Sequence, residues 1–170
     1  MYPCGMSDVF IHTLAVPWGR VSFQFDACGV LVELKLDFKQ AAGMHGKRPA
    51  GAPSASALKS WLAAFLNGTA DAFPGQWKMP GTTSFQKKIY QATAAIPRGK
   101  VRTYGELAAK AGSPGAARAV GTCMASNPMP LLVPCHRVVG AHSGLGGFSG
   151  GGLPVKLRLL RAEQVDYAGV

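Results

Sequence analysis

Between residues 83 and 128 the helix start and stop signals stand so close together that only short helices fit, and this limits the fold more than any other feature. Thr83 followed by Gln86 is a capping box, in which each side chain satisfies a backbone N–H at the other residue. Phe85, Ile89, Ala92 and Ile96 then continue one helical stripe until Pro97-Arg98-Gly99 ends it. Thr103 with Glu106 repeats the device and opens a helix from Tyr104 to Ala111, which Gly112 can end. Ser113-Pro114 is expected to open the next helix with Pro at its first position, running towards Asn127-Pro128. Two helices joined by a tight Gly-Ser turn make a helix-turn-helix.

The residues before this block read differently. Val9 to Val16, Val21 to Ala27 and Val30 to Phe38 are three strand-like runs separated by Pro17-Trp18-Gly19 and Gly29, turns short enough to make the set antiparallel. Residues 40 to 57, rich in Gly, Ala, Pro and Ser, are expected to be a loop. Leu58, Trp61, Leu62, Phe65 and Leu66 share one helical face that Asn67-Gly68 closes. A Pro- and Gly-bearing stretch follows, and the spacing predicts a boundary near residue 80. The fold class expected is α/β (α+β): a small antiparallel sheet with a helix over 1–80, then a mostly helical, winged-helix-like unit over 81–170.

Charge separates the halves further. Of 18 Lys and Arg against 8 Asp and Glu, residues 1–84 hold 7 basic and 5 acidic side chains, and residues 85–170 hold 11 and 3. The second half is therefore the part expected to meet a polyanion. There is no basic patch followed by an apolar run at the start, and the uncharged stretch from Ala119 to His136 is interrupted by Asn127, Pro128, Pro130 and Pro134. A protein of the cytoplasm, or of the nucleus in a eukaryote, with no membrane partner, is the expectation. Cys4, Cys28, Cys123 and Cys135 form no CxxC pair, so free thiols are expected.

The helix around residues 115–125 is slim, with Gly or Ala at 115, 116, 117, 119, 121 and 125, and Arg118 as its one long cation. Such a helix suits close packing in a core, or entry into a narrow DNA groove with Arg118 reaching into the base stack. Further on, the apolar strand-like run Leu131 to Val139 is broken by Cys135-His136-Arg137. A neighbouring imidazole or cation raises the thiolate fraction of a cysteine and equips it as a nucleophile, whereas a buried Cys beside a hydrogen-bonded His serves packing alone. The loop Gly144 to Gly152, seven of whose nine residues are not larger than Ser, can lie close against a flat ligand.

Taken in order, Phe85-Gln86, Ile96-Pro97-Arg98-Gly99, Thr103-Tyr104, Ala116 to Gly121, Asn127-Pro128, Pro134-Cys135-His136-Arg137-Val138, Ser149-Gly150-Gly151 and Lys156 to Glu163 resemble the O6-alkylguanine-DNA alkyltransferases. The resemblance runs from about Thr83 to Glu163; the first 80 residues agree only in outline. It implies a DNA-repair protein that flips O6-alkylguanine, and O4-alkylthymine, out of duplex DNA and transfers the alkyl group irreversibly to Cys135. By the same resemblance His136 is the base acting through a water, Glu163 orients His136, Asn127 is a buried hinge, and Tyr104 crowds the target phosphate and helps stabilise the leaving guanine. Thr103, Tyr104, Ala116, Ala117, Arg118, Gly121 and Arg137 would meet DNA in the minor groove, with Arg118 filling the vacated stack. Met124, Val138, Gly146, Phe148, Ser149 and Gly150 would hold the base. No cofactor is implied, and the protein would act as a monomer, with cooperativity along DNA left open.

The chain departs from the family pattern in three places. Phe148 stands where many relatives carry Tyr, Gly152 extends the Ser-Gly-Gly run, and Cys4, His12, Cys28 and His45, the candidates for the zinc some relatives hold, fit no standard zinc spacing. Two other classes compete with alkyl transfer. Alkyltransferase-like proteins bind damaged DNA without chemistry and replace the acceptor cysteine, commonly by Trp, whereas this chain keeps Cys135, His136 and Glu163. A helix-turn-helix regulator would carry Gln, Asn and Arg on its recognition helix, and the Ala-rich helix here offers almost none.

Overall fold

The computed structural model describes residues 9–37, 43–70, 72–142 and 144–166. The chain divides into two compact units, residues 1–80 and 81–170. The first is built on an antiparallel sheet of β1 (Phe10–Val16), β2 (Gly19–Phe25), β3 (Leu31–Asp37) and β4 (Gly43–His45), in the order β3-β2-β1-β4. Phe23, Phe25, Leu31 and Leu34 are buried from the sheet, and Leu58, Trp61, Leu62 and Phe65 from α1 (Ala55–Leu66). The two sets meet where Phe23 packs edge-on against Trp61, ring centroids 6.0 Å apart. Ser54 caps α1 by accepting a hydrogen bond from the Ala57 N–H. The expectation of a loop over residues 40 to 57 is corrected at both ends, since β4 pairs with β1 and α1 begins at Ala55. β4 is three exposed residues without alternation, so no period marks it.

The second unit runs α2 (Ser84–Ala94), β5 (Arg102–Thr103), α3 (Tyr104–Lys110), α4 (Ala117–Ala125), a 3-10 turn (Cys135–Arg137), β6 (Val138–Val139) and α5 (Gly152–Ala162). Both capping boxes form: Thr83 with Gln86 at α2 and Thr103 with Glu106 at α3, each with its two reciprocal bonds. With α3 and α4 joined through residues 111–116, the whole is a mixed α/β fold in which a small antiparallel sheet precedes a helix-turn-helix unit.

Two local expectations are corrected here. Pro114 does not open α4: Gly115 takes φ +92°, which breaks the helical path, and the helix starts at Ala117 from an Ala116 cap without a side-chain bond. The run Leu131 to Val139 is not a strand, except for its last two residues. Leu131 takes φ +77° and Pro134 carries no N–H for a ladder, and the chain turns instead through Val133 N–H to Met129 O (2.8 Å) and Cys135 N–H to Val133 O (2.7 Å). β6 then pairs in parallel with β5, Arg102 opposite Val138 and Thr103 opposite Val139, which sets the start of α3 beside the end of the cysteine turn.

Candidate active site

An open cavity of about 530 Å³ lies in the second unit, lined by Tyr104 of α3, Arg118, Gly121, Met124 and Ala125 of α4, Cys135, and Gly147, Phe148 and Ser149 of the glycine-rich loop. A shallower hollow of about 370 Å³ adjoins it and shares Tyr104, Arg118 and Gly121, adding Thr103, Gly105, Ala117 and Ala141. The residues expected to meet a ligand thus converge from four stretches of sequence. Arg118 is exposed, as are Ala119, Thr122 and Ala125 of the same helix, while Ala117 and Gly121 are half-buried.

Cys135 is 5% exposed. Burial pushes its thiol up, while a hydrogen bond with the Asn127 side chain and the positive charge of Lys156 pull the other way. Asn127 also donates to the Val133 carbonyl (2.8 Å) and accepts from the Met129 N–H (3.0 Å), so one amide ties the end of α4 to the segment that delivers the sulfur. Tyr104 reaches across the cavity towards the Gly147 carbonyl at 3.5 Å, and burial with the nearby Cys135 raises its phenol. The loop passes so close to this ring that a Cβ on Gly146, itself at φ +67°, would stand 2.8 Å from the Tyr104 hydroxyl. Only glycine fits that approach.

Behind the sulfur lies a polar cluster sealed from solvent. His136 is fully buried, and its Nε2 lies 2.9 Å from Oε1 of Glu163 at the end of α5. Arg137 grips the same carboxylate twice, Nε to Oε2 at 2.9 Å and Nη2 to Oε1 at 2.8 Å, and donates from Nη1 to the Ile96 carbonyl at 2.7 Å. Burial works to raise the Glu163 carboxyl, but the bonds from His136 and Arg137 outweigh it and hold the group down at about 2. Burial lowers His136, against the opposing pull of Glu163. A carboxylate that is ionised accepts only, so Nε2 of the neutral imidazole carries the proton and Nδ1 is the basic nitrogen.

The cluster bears directly on one expectation: Arg137, expected at DNA, is 4% exposed, and its guanidinium is bonded to Glu163 and Ile96 rather than turned to the surface. Other expected residues stand near the cavity without lining it: His136, Glu163 and Asn127 behind Cys135, Val138 wholly buried, and Gly150, half-buried, further along the loop. Ala116 sits at the cap of α4. Lys156 was not singled out for a role from the sequence, although its place on the buried stripe with Leu159 and Leu160, at i+3 and i+4, is a legible signal. Of the metal candidates, Cys4 lies outside the described residues, Cys28 is an exposed free thiol, His45 is exposed and His12 is buried. Among the described residues no three His, Cys, Asp or Glu come together as a metal site, and no helix is long and apolar enough to cross a membrane.

Residues 84–165 match the family model described as 6-O-methylguanine DNA methyltransferase, DNA binding domain. The chain is similar to the methylated-DNA–protein-cysteine methyltransferase of Mycobacterium leprae, 47% identical over 105 residues that span 62% of each chain. It is 39% identical to the constitutive enzyme of that name from Bacillus subtilis, across 68% of this chain and 69% of the relative. Among solved structures, Mycobacterium tuberculosis OGT in complex with DNA is similar at a TM-score of 0.75 and 36% identity, over 91% of this chain and 92% of that one. The O6-methylguanine-DNA methyltransferase of Pyrococcus kodakaraensis is similar at 0.65 and 26%, over 91% and 98%.

Proposed function

Because the chain belongs to the methylated-DNA–protein-cysteine methyltransferase family, we propose that it repairs DNA by taking the alkyl group of O6-alkylguanine, and of O4-alkylthymine, onto Cys135. The observation that carries this reading is a cysteine at the wall of an open cavity, backed by a buried His136–Glu163–Arg137 cluster in which the imidazole is neutral and held in one tautomer. The thiol proton passes through a water to His136. Sulfur then forms a bond to the alkyl carbon as the bond from that carbon to O6 breaks; the guanine keeps the electron pair and takes a proton from water, and His136 returns the thiol proton to water, so no proton is gained or lost overall. Donors near the departing base, Tyr104 and Ser149, limit the negative charge that builds there. A thioether has no ready route back to a thiol, so each molecule reacts once.

Attack at saturated carbon needs the base held in line with sulfur. Extrusion of the base into the cavity meets that need, with Met124 and Phe148 against its faces and the loop from Gly146 to Gly150 along its edge. Phe148 supplies apolar contact and no hydroxyl. Arg118 fills the gap in the stack, and Thr103, Ala117 and Gly121 lie along the minor groove, where side chains this small avoid collision. The protein acts as a monomer in the cytoplasm, its DNA affinity set by phosphate contacts.

Intact mass before and after incubation with an oligonucleotide containing O6-methylguanine tests the proposal. One added methyl per protein molecule is expected, located by peptide mapping to Cys135. Cys135→Ser should gain none while still binding duplex DNA. A methyl found on Cys123 or Cys28 in that variant, or none on the unaltered protein, overturns the assignment.

A further inference from the structure

The reactive cluster leaves one buried charge unused. Lys156, on α5, is fully buried, and its ammonium donates to three backbone carbonyls: Val138 at 2.6 Å, Leu145 at 2.5 Å and Gly147 at 3.3 Å. An ammonium has three donors, and all three are satisfied. The acceptors are not neighbours in sequence. Val138 follows the turn that holds Cys135, while Leu145 and Gly147 belong to the glycine-rich loop, and Gly147 lines the cavity. One side chain therefore joins the two segments whose separation sets the distance between sulfur and a base in the cavity.

The surroundings are specific about charge. No carboxylate pairs with Lys156 among the described residues; Glu163, which caps the same helix, is taken up by His136 and Arg137, with Arg98 3.9 Å away. The titratable groups that feel it are Cys135, whose ionised form its charge favours, and His136, whose protonated form it disfavours. Tyr104, from α3, donates to the same Gly147 carbonyl at 3.5 Å. Resting on the alkyl-transfer reading above, we propose that Lys156 is a positioning residue for the transfer: its ammonium holds the loop 144–150 against the cysteine segment, and its charge steadies the thiolate as it forms. A neutral amine offers two hydrogens to three carbonyls and no charge, so the clamp weakens when the proton leaves. Burial brings that event down to about pH 8, against the opposing pull of Cys135.

The test is single-turnover methyl transfer from a saturating O6-methylguanine duplex, read by mass from pH 6.5 to 9, for wild type, Lys156→Met and Lys156→Arg. Misplacement of the base should slow Lys156→Met by about 10- to 100-fold at neutral pH, with unmodified duplex bound as before because the ammonium is buried. Ionisation of Cys135 makes the rate rise with pH, so a fall above pH 8 in the wild type cannot come from the thiol. That fall is expected in the wild type and absent in Lys156→Arg, whose guanidinium keeps its charge throughout. A rate for Lys156→Met equal to wild type, a wild-type profile without an alkaline fall, or the same fall in Lys156→Arg each overturn the proposal. If either variant fails to fold, the wild-type profile still decides. A wild type that gains no methyl at any pH refutes the transfer reading itself, an outcome distinct from transfer that ignores Lys156.

Discussion

Glu163 is hydrogen-bonded by His136 and Arg137 at once, with Arg98 a further 3.9 Å contact, and this makes it the side chain on which the reactive cluster turns. A carboxylate with one partner is replaced at modest cost; here its loss strands the buried Arg137 guanidinium and frees the His136 ring to change tautomer. Glu163→Gln should lower the free energy of unfolding by about 3 kcal/mol, the range for breaking a buried pair, and should also slow methyl transfer at saturating DNA. Urea denaturation and single-turnover rates on the same preparation check both effects. A carboxylate on the helix surface would leave each unchanged. The sequence links Glu163 to His136 only by resemblance, and by the same resemblance places Arg137 at DNA rather than at this carboxylate. The pairing spans 26 residues and no period or spacing marks it.

At the scale of elements, α4 carries the most direct prediction. It presents small residues and a single exposed cation, Arg118, at the mouth of the cavity. Extruding a paired base costs a few kcal/mol, and a side chain in the gap offsets part of that. Arg118→Ala should therefore slow repair strongly in duplex DNA, less in a single strand, and hardly at all with the free alkylated base. Equal losses on duplex and single strand would show that Arg118 serves only a phosphate contact. Elements with complete local signals were legible: both Thr-led capping boxes, the α1 stripe and the three hairpin-linked strands appear where their residues indicate. Those that failed depend on conformation or on distant chain. Gly115 at positive φ displaced the start of α4, Leu131 at positive φ and Pro134 denied the run to Val139 a ladder, and the two-residue pairing of β5 with β6 has no local signature.

Over the whole molecule the net charge of +10 is the longest-ranged feature. Lys87, Lys88, Lys100, Arg102, Lys110 and Arg118 are exposed, whereas Arg137 and Lys156 are buried and cannot reach a phosphate. If the six exposed cations each met one phosphate, the logarithm of affinity would fall against the logarithm of salt with a slope of about −5. Titrations across salt measure it, and a flat dependence contradicts a phosphate-led interface. Acid should act in one direction. His12 and His136 are lowered by burial, so the folded protein takes up fewer protons than the unfolded chain and stability declines as pH falls below about 6.5. Glu163, held at about 2 against an ordinary 4.5, adds a loss that grows from about pH 4.5 down to 2. Urea midpoints from pH 7 to 3 should fall throughout, and a constant midpoint between 7 and 5 would contradict the histidine contribution. The placing of Lys156 and Glu163 together on α5 also bears on synthesis. The ribosome delivers the sulfur and the imidazole, with Asn127 already in place, before Lys156 and Glu163, so a nascent or truncated chain that lacks α5 and its cap has neither the ammonium that favours the Cys135 thiolate nor the carboxylate that faces His136. Competence arrives with the docking of one late helix, and quality control of the chain and control of its chemistry become the same event.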